Sequence, residues 1–331
     1  MAKNKNNLDI SVLITTYNRA EILRRTLENM ATLERDGLSV EFVVVDNNSS
    51  DHTKEVIESF ADRLPIQYLF EFRPGKNCAL NKALREVEFG RLIVFTDDDV
   101  EPKKDWLKTI IDLSNCWPDY SVFGGKIYTI WPVKFFDLPS WLQKIVDSGN
   151  LLSVYRHFLL DYGDSEKQFP HNRFPAGANF WVRREILMNG RRFEELFGPR
   201  PKSPIMGSET SFARKLSKDG YKILYSPHAV VGHYIQPDML EVSSVRKRVY
   251  RAGRTSPYLW GLKPKALYEK HQILWWLYRV LALIKNIFVY IIAMLSYSRD
   301  KRIIRSLKAL RGIAYNIESL KIAYKNSNTG L

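Results

Sequence analysis

The segment Arg91-Leu-Ile-Val-Phe-Thr-Asp-Asp-Asp99 decides how this chain folds. Its apolar part, residues 92–95, contains β-branched and aromatic side chains and predicts a short strand that is buried on both faces of a sheet. Three carboxylates follow directly, at the strand end where open α/β sheets bind their ligands. Because adjacent like charges cost free energy unless a cation lies among them, the segment predicts a hard-metal site that holds a phosphorylated ligand. The alternative is a solvated acidic turn before the next helix.

Strands and helices alternate through the first 240 residues. Apolar runs predict strands at residues 11–16, 40–45 and 66–70, and helical spacing predicts helices at residues 19–33, 52–64 and 75–87. Short connections between such elements indicate right-handed βαβ units. We therefore expect an α/β fold with a Rossmann-like, mainly parallel sheet that carries helices on both faces.

The composition agrees with one large domain plus an appendage. The 331 residues are 45% hydrophobic, which is enough for a substantial core. Only Cys78 and Cys116 are present, so neither a disulfide framework nor a zinc knuckle is indicated. Residues 1–8 form a polar N-terminal tail without the apolar stretch of a signal peptide. Together these features favour the reducing cytoplasm.

The net charge of +14 is confined to the end of the chain. Residues 241–331 contain 18 Lys and Arg against 4 Asp and Glu, whereas residues 1–240 contain 32 of each kind. This asymmetry predicts a neutral α/β body followed by a basic module.

Polar residues also end the first two predicted strands. Thr15, Tyr17 and Asn18 lie at the end of the first strand, and Asp46 follows Val43-Val-Val45. Since the carboxyl ends of parallel strands meet at one edge of a sheet, we expect these side chains beside the three aspartates. They predict a single ligand site at that edge.

An ordered set of motifs links these strand ends to the second half of the body. The motifs are Ser11-Val-Leu-Ile-Thr-Thr-Tyr-Asn18, Val43-Val-Val-Asp-Asn-Asn-Ser-Ser-Asp-His-Thr53, Pro74-Gly-Lys-Asn-Cys-Ala-Leu-Asn81, Phe95-Thr-Asp-Asp-Asp99, Gly177-Ala-Asn179 with Arg183-Arg184, and Gly207-Ser-Glu-Thr210. In this order they resemble family 2 glycosyltransferases of the GT-A fold, of the inverting, bacterial polysaccharide type. The resemblance covers about residues 9–235 and implies a GT-A domain at residues 9–240.

The resemblance implies transfer of a sugar, of the hexosyltransferase type, from a nucleotide diphosphate donor with inversion at the anomeric carbon. UDP is the expected nucleotide. Tyr17 would then lie near the base and Asp46 would accept a hydrogen bond from a base N–H. Asp97 and Asp99 correspond to the ends of the family's Asp-x-Asp, which contacts the ribose and the metal-bound diphosphate. Asp98 is also acidic, so Asp98 and Asp99 both remain candidates for the direct ligand of Mn²⁺ or Mg²⁺.

An acid at the start of a helix is the general base of the family, in a Gly-Glu-Asp-like motif. Here the motif reads Gly207-Ser-Glu-Thr210, which assigns the base to Glu209. The acceptor hydroxyl is a poor nucleophile, so a base opposite the leaving group is needed. The alternative is that Glu209 only interacts favourably with the helix dipole.

Further residues are assigned by position in the same pattern. His233 fits a metal ligand beyond the base-bearing helix, with a purely structural histidine as the alternative. Leu80 stands where many relatives have Arg before Asn81, so Arg73 or Lys76 is expected to contact the diphosphate instead. Asn179 is expected near the donor sugar, or else serves as a turn residue. Thr15 and Asn81 complete the predicted donor-binding set.

The C-terminal region, residues 241–331, is predicted to be a basic, apolar, helical and membrane-associated module. Its most apolar part, residues 273–295, is interrupted by Arg279, Lys285 and Asn286, so no uncharged run reaches the ~20 residues of a spanning helix. Tryptophans, basic residues and apolar faces suit helices that lie in a membrane interface. A soluble helical hairpin and a short spanning segment near residues 287–297 are the alternatives.

These features predict a glycosyltransferase at the cytoplasmic face of the cell membrane, bound peripherally or inserted shallowly. Its partners would be a nucleotide sugar, a lipid-linked or growing polysaccharide acceptor and the membrane surface, without nucleic acid. A sugar nucleotidyltransferase is the nearest alternative, although no Gly-rich phosphate loop follows the first strand. A basic nucleic-acid-binding protein is the alternative from another class.

Overall fold

The computed structural model describes residues 8–148, 155, 158–200 and 205–329. All of the predicted N-terminal tail except Leu8 therefore lies outside the described residues. Within the described ranges the chain forms two compact units. The first comprises residues 8–130, 158–200 and 208–234, and the second comprises residues 131–148, 155, 205–207 and 235–329. The domain boundary at residue 240 stays a prediction.

The first unit is built around a mixed sheet. Its strands are β1 (Ile10–Thr16), β2 (Val40–Asp46), β3 (Ile66–Phe70), β4 (Leu92–Thr96), β5 (Val100–Pro102), β6 (Val122–Ile130), β7 (Lys167–Gln168), β8 (Phe180–Arg183) and β9 (Ile223–Tyr234). Their order is β3-β2-β1-β4-β8-β6-β9-β5, and β7 pairs with β9.

The parallel part of the sheet is the part that the alternating pattern predicts. Strands β3, β2, β1 and β4 run parallel to one another. Beyond β4 the sheet is mixed, since β8 is antiparallel to β4 and β6, and β5 is antiparallel to β9. The predicted α/β class is confirmed, and the antiparallel strands extend its parallel half.

The described residues of the two units form eleven α-helices. They are α1 (Ala20–Ala31), α2 (Thr53–Glu58), α3 (Lys76–Glu86), α4 (Trp106–Cys116), α5 (Ser140–Asp147), α6 (Glu185–Met188), α7 (Ser208–Lys218), α8 (Val242–Trp260), α9 (Lys265–Lys270), α10 (Gln272–Met294) and α11 (Arg299–Thr329). Short 3-10 helices lie at Phe135–Asp137, Gly177–Asn179 and Pro237–Leu240.

The core of the first unit lies between the sheet and the apolar faces of its helices. On α1, Leu23, Leu27 and Met30 recur at helical spacing and are fully buried. They belong to the same apolar cluster as the central strand residues, such as Val94 on β4. Burial of a side chain of this size contributes about 1.5–3 kcal/mol, so the apolar faces of the helices are what hold them to the sheet.

The second unit is helical. Helices α8 and α10 both pack against α11. Gly253 on α8 allows a close approach, because a Cβ atom there would clash with the carbonyl oxygen of Arg311 on α11. An ion pair of 2.9 Å between Arg254 and Glu318 joins the same two helices. The predicted basic helical module is therefore a packed helical unit.

Helix α10 is long and apolar enough, by length and composition, to cross a membrane. An 18-residue stretch of this 23-residue helix has a mean hydropathy of 1.8, and only 11% of that stretch is buried. Its residues Ile273, Leu281 and Phe288 are more than half exposed. The sequence feature that favoured a membrane interface is thus present as an exposed apolar helix.

Candidate functional site

Strand register brings the predicted polar ends to one edge of the first unit's sheet. In the parallel pairing Thr16 lies opposite Asp46, and Ile14 lies opposite Thr96. The three residues after β4 therefore continue alongside the end of β1. The shared edge that the sequence predicted is the edge at which these side chains meet.

An acidic and imidazole cluster forms where β4 ends. The ligand atoms of Asp97, Asp99 and His233 lie within 4.8 Å of one another. Nε2 of His233 is 2.9 Å from a carboxylate oxygen of Asp99. Strand pairing explains how the distant histidine arrives, because Val100 of β5 lies opposite His233 of β9. The structure thus groups Asp99 with the other two residues, and directs Asp98 elsewhere.

Asp98 points toward β1 and α1. Its carboxylate accepts a hydrogen bond of 2.8 Å from the Thr16 hydroxyl and forms an ion pair with the Arg19 guanidinium. The same guanidinium pairs with Asp99 at 2.7 Å. The donor-binding role of Asp98 stays a prediction, since both of its oxygens already have partners. Sequence reasoning missed Arg19, although this residue stands at the end of the first strand motif.

The pKa values of Asp98 and Asp99 are shifted in opposite directions. Burial raises the pKa of Asp98 to about 6. Burial acts on the pKa of Asp99 in the same direction, but His233 and Arg19 outweigh it and hold that pKa below its usual range. Asp99 is therefore a carboxylate at neutral pH, as a metal ligand must be.

A lysine joins the acidic cluster to the predicted base. Nζ of Lys76 lies 2.6 Å from a carboxylate oxygen of Asp97 and 2.6 Å from one of Glu209. Burial alone would lower the pKa of Lys76, but these two carboxylates raise it above its usual range. The lysine is therefore charged at the position where the sequence predicted a contact with a diphosphate.

Glu209 lies in the first turn of α7, against the backbone of Gly177. A Cβ atom on Gly177 would lie 2.5 Å from Oε1 of Glu209. The glycine therefore leaves room for the carboxylate beside Lys76. Gly177, the first residue of the motif Gly177-Ala-Asn179, therefore contacts Glu209. Sequence reasoning had not connected this motif with Gly207-Ser-Glu-Thr210.

The predicted nucleotide-binding residues lie on the loops that follow β1 and β2. Tyr17 is 47% exposed, and Thr15 of β1 is buried. Asp46 is buried and accepts hydrogen bonds from the Ser49 N–H and the Tyr68 hydroxyl. These residues border the same edge of the sheet as the acidic cluster.

Asn18 has a structural role in this region. It has a φ of 50°, a left-handed conformation that Asn tolerates better than most residues. Its side-chain oxygen accepts a hydrogen bond of 2.7 Å from the Ser50 N–H, and its own N–H donates to the Ser49 hydroxyl. These bonds join the two loops, so Asn18 supports the edge whether or not it contacts a donor.

Arg73 and Asn81 already have protein partners. Arg73 pairs with Glu71 at 3.2 Å and with Glu195 at 3.3 Å. The buried Asn81 amide donates to the carbonyl of Phe193 and accepts from its N–H. Their predicted roles in donor binding stay predictions, and the contacts of Asn81 are those of a residue that fixes a loop.

Asn179 is fully buried at an irregularity between β6 and β9. The register shifts at Lys126, and the Asn179 amide donates to the carbonyls of Lys126 and Ala229. Its oxygen accepts a hydrogen bond from the Trp106 indole. A bulge leaves backbone carbonyls without hydrogen-bond partners in the sheet, and the Asn179 amide donates the missing hydrogen bonds. Its predicted place near the donor sugar is untested, and its contacts agree with the structural alternative.

The ligand atoms of Asp97, Asp99 and His233 suit a divalent cation. Two carboxylates and one imidazole suit Mn²⁺, whereas Mg²⁺ prefers oxygen ligands alone. With Asp98 and Glu209 the two ligand carboxylates make four in all. They face two cationic side chains, Arg19 and Lys76, when His233 is neutral. The excess of two negative charges equals the charge of one divalent ion.

Comparison with known proteins identifies the class of fold and then the family. The solved mannosyltransferase PcManGT from Pyrobaculum calidifontis, in complex with GDP-Man and Mn²⁺, superposes with a TM-score of 0.57 at 19% identity, over 94% of this chain and 86% of that chain. This likeness shows a shared glycosyltransferase fold. Residues 11–191 match the family model "Glycosyl transferase family 2". The match spans more than half of the chain, and the chain belongs to that family.

Two curated relatives resemble the chain beyond its motifs. Glycosyltransferase AglE of Haloferax volcanii is 23% identical over 81% of this chain and 79% of its own length. The GalNAc(5)-diNAcBac-PP-undecaprenol beta-1,3-glucosyltransferase of Campylobacter jejuni is 27% identical over 57% of this chain and 55% of its own length. Family membership favours a glycosyltransferase over the nucleotidyltransferase and nucleic-acid-binding alternatives.

Proposed function

We propose that this protein is an inverting, metal-dependent glycosyltransferase that moves a sugar from a UDP-sugar to a lipid-linked or growing polysaccharide acceptor. One observation carries the proposal: Asp97, Asp99 and His233 form a cluster that Lys76 joins to Glu209. The cluster combines the ligands for a cation with a carboxylate that is suited to activate an acceptor.

Asp97, Asp99 and His233 would hold Mn²⁺ in preference to Mg²⁺, because the set includes an imidazole. When bound, the cation would stabilise the negative charge that develops on the departing diphosphate. Lys76 is the fixed cation of the same region and would bind the diphosphate, releasing one of its two carboxylate partners. Arg19 would position Asp99 through their ion pair.

Glu209 would accept the proton of the acceptor hydroxyl. Its side chain is 15% exposed, and one of its carboxylate oxygens lies 2.6 Å from Nζ of Lys76. A positioned carboxylate of this kind can serve as a general base. A base opposite the departing group gives a single displacement and therefore inversion. The helix-dipole alternative explains the position of Glu209 at the start of α7 but not its contact with Lys76.

Asp46 would read the base of the nucleotide. A carboxylate accepts hydrogen bonds and donates none, so it selects bases that present an N–H. Uracil and guanine both present one, whereas cytosine presents an acceptor at the corresponding ring nitrogen. The proposal commits to UDP, and CDP is the expected non-ligand.

Hydrolysis of nucleotide sugars is the test of donor and metal. Purified protein with Mn²⁺, with Mg²⁺ or with a chelator is supplied with UDP-, GDP- and CDP-sugars, and free nucleotide is measured. We expect release of UDP that requires a divalent ion and falls in Asp99→Ala. Faster release of GDP would replace the UDP assignment, and release that is equal in the chelator would contradict the metal assignment.

The acceptor and the location are proposed from the second unit and one relative. The Campylobacter jejuni relative is named for an undecaprenol-linked substrate, and α10 of this chain presents an exposed apolar surface. We propose that α10 lies in the cytoplasmic membrane interface, where basic residues contribute about 1 kcal/mol each beside anionic lipids.

Membrane fractionation of the full-length chain tests this location. We expect resistance to a high-salt wash and release by detergent, because buried apolar area is not screened by salt. Replacing the exposed Ile284 and Phe288 with Gln should release the protein, whereas the matched changes Phe136→Gln and Tyr324→Gln should not. A full-length protein that is soluble and monodisperse without lipid would contradict the proposal.

A further inference from the structure

Helix α10 has three distinct strips along its length. At 100° per residue, Trp275, Arg279 and Ala293 fall on one side and are buried. Ile284 and Phe288 lie on the opposite side and are more than half exposed. The strip between these two sides lines a pocket with residues of α8 and α11.

This pocket lies within the second unit and has a volume of about 770 Å³, in the range of small-molecule sites. Its lining is strongly basic, and no Asp or Glu belongs to it among the described residues. The cations are Lys263, Arg279, Lys285, Lys308 and Arg311. Four of them are exposed at the rim, and Arg279 is the buried one.

Arg279 is the buried cation of this pocket, and its hydrogen bonding is incomplete. The residue is 6% exposed, and no carboxylate pairs with it within the described part of the chain. One terminal nitrogen donates to the Asn316 side-chain oxygen at 2.8 Å, and the ring of Tyr315 lies 4.7 Å from the guanidinium carbon. Its Nε–H is buried without a hydrogen-bond partner. A buried, incompletely bonded cation costs free energy that a bound anion would recover.

A second orphaned polar atom belongs to the same pocket. The Tyr315 hydroxyl is buried without a hydrogen-bond partner, and the Tyr315 side chain lines the pocket next to Arg279. Two unmet donors beside five cations call for a ligand with several anionic oxygen atoms. A phosphate group has that chemistry, and Arg in particular binds it through more than one N–H.

We propose that this pocket, formed by α8, α10 and α11, binds the phosphate or diphosphate group of a membrane lipid. The exposed apolar side of α10 begins next to the pocket, so the hydrocarbon chain of the same lipid would lie along Ile284 and Phe288. A phosphate without a chain would leave that apolar side uncovered. The inference rests on the proposed membrane association. It goes further, because it assigns the basic residues of the pocket to a binding site for one lipid rather than to a diffuse attraction.

Vesicle binding by the full-length protein separates a site from a diffuse charge. Vesicles of phosphatidylcholine carry either phosphatidylglycerol or cholesteryl hemisuccinate, at amounts matched to the same zeta potential. We expect the protein to prefer the phosphate lipid by on the order of tenfold, because the matched zeta potential cancels the diffuse attraction and leaves the charge-assisted hydrogen bonds of the pocket to the phosphate. Equal binding to the two vesicle types would overturn the proposal.

Paired variants locate the preference. Lys285→Gln with Lys308→Gln removes two exposed rim charges, and Lys270→Gln with Lys301→Gln removes two exposed charges of the same unit outside the pocket. The first pair should lose the preference for phosphate and the second should keep it. Loss in both pairs alike would show a diffuse effect. Arg279→Gln should also lose the preference, and the rim pair keeps the test valid if that variant fails to fold.

Two further arms identify the phosphate carrier. Polyprenyl diphosphate replaces phosphatidylglycerol at equal zeta potential, and the vesicle type that binds more tightly identifies the lipid. Excess inorganic phosphate, added at constant ionic strength, should reduce the preference by competition at the pocket, whereas abolition by free phosphate at only the concentration of the accessible lipid would overturn the assignment to a lipid. These arms require no nucleotide sugar, so their failure is distinguishable from failure of the proposed glycosyl transfer.

Discussion

The candidate sites of the two units hold buried charge in opposite ways. In the first unit the Lys76 ammonium lies 2.6 Å from each of two carboxylates, and Arg19 joins two more. In the second unit the buried Arg279 has an amide oxygen and aromatic rings as partners, without a described carboxylate. The difference follows from composition, since the net +14 of the chain falls entirely in residues 241–331.

This contrast indicates which kind of ligand each unit suits. The acidic cluster of the first unit has an excess of carboxylate, which suits a cation and the polyanion that the cation would bind. The second unit has an excess of cation beside an apolar helix, which suits an anionic lipid. The predictions below test this contrast, beginning with the largest expected effect.

Glu209→Gln should lower turnover by about 10²–10⁴-fold, the usual worth of a general base, and leave UDP affinity nearly unchanged. Glu185→Gln is the matched control, because Glu185 also lies in the first turn of a helix. Steady-state transfer rates and UDP titration measure both quantities. Retention of most activity in Glu209→Gln would show that another group activates the acceptor.

Asn179→Ala should destabilise the first unit by about 3 kcal/mol, because two carbonyls and an indole N–H would be left buried without partners. Chemical denaturation measures the effect, and the exposed Asn189→Ala serves as control. If stability is unchanged and only donor affinity falls, the donor-binding prediction for Asn179 is correct and the structural interpretation is wrong.

Gly177→Ala should reduce turnover by roughly 10- to 100-fold with little loss of stability. The new methyl group would displace the flexible end of Glu209, and a shift of about 1 Å at a reacting group has effects of this size. A double-mutant cycle checks the mechanism. Adding Gly177→Ala to Glu209→Gln should cause no further loss, and an additive loss would contradict the contact as the cause.

Lys76→Met and Arg279→Met compare the two units directly. Without divalent ions, Lys76→Met should cost about 2 kcal/mol, because it leaves two partly buried carboxylates without their cation. Arg279→Met should change stability by less than about 1 kcal/mol, since no ion pair is broken. Chemical denaturation of both variants provides the measurement. A larger cost for Arg279→Met would reveal an anionic partner for Arg279 and remove the contrast.

Much of the first unit could be predicted from sequence because its signals are local. The strand that ends in Asp97-Asp-Asp99 and the parallel strands around it follow from apolar runs and short connections. The antiparallel β5 and β8 are three and four residues long, too short for a clear pattern. The pairing of β5 with β9 is also what brings His233 to Asp99, so only the family resemblance suggested that contact.

Other site residues were hard to assign because one residue type serves two purposes. Asn81 and Asn179 lie in motifs, yet their amides bond to backbone groups that are remote in sequence. Arg19 carries no sequence signal beyond its position after a strand. The pocket of the second unit depends on helix packing, which brings Arg279 of α10 together with residues of α8 and α11.

Titration of UDP by isothermal calorimetry, with and without Mn²⁺, tests the central claim most directly. We predict that the wild-type protein binds UDP only with the metal, and that Asp99→Ala and His233→Ala each weaken this binding by about 10²-fold or more. The exposed Asp119→Ala should behave as wild type. Binding of UDP that is independent of Mn²⁺ and unchanged in Asp99→Ala would contradict the account.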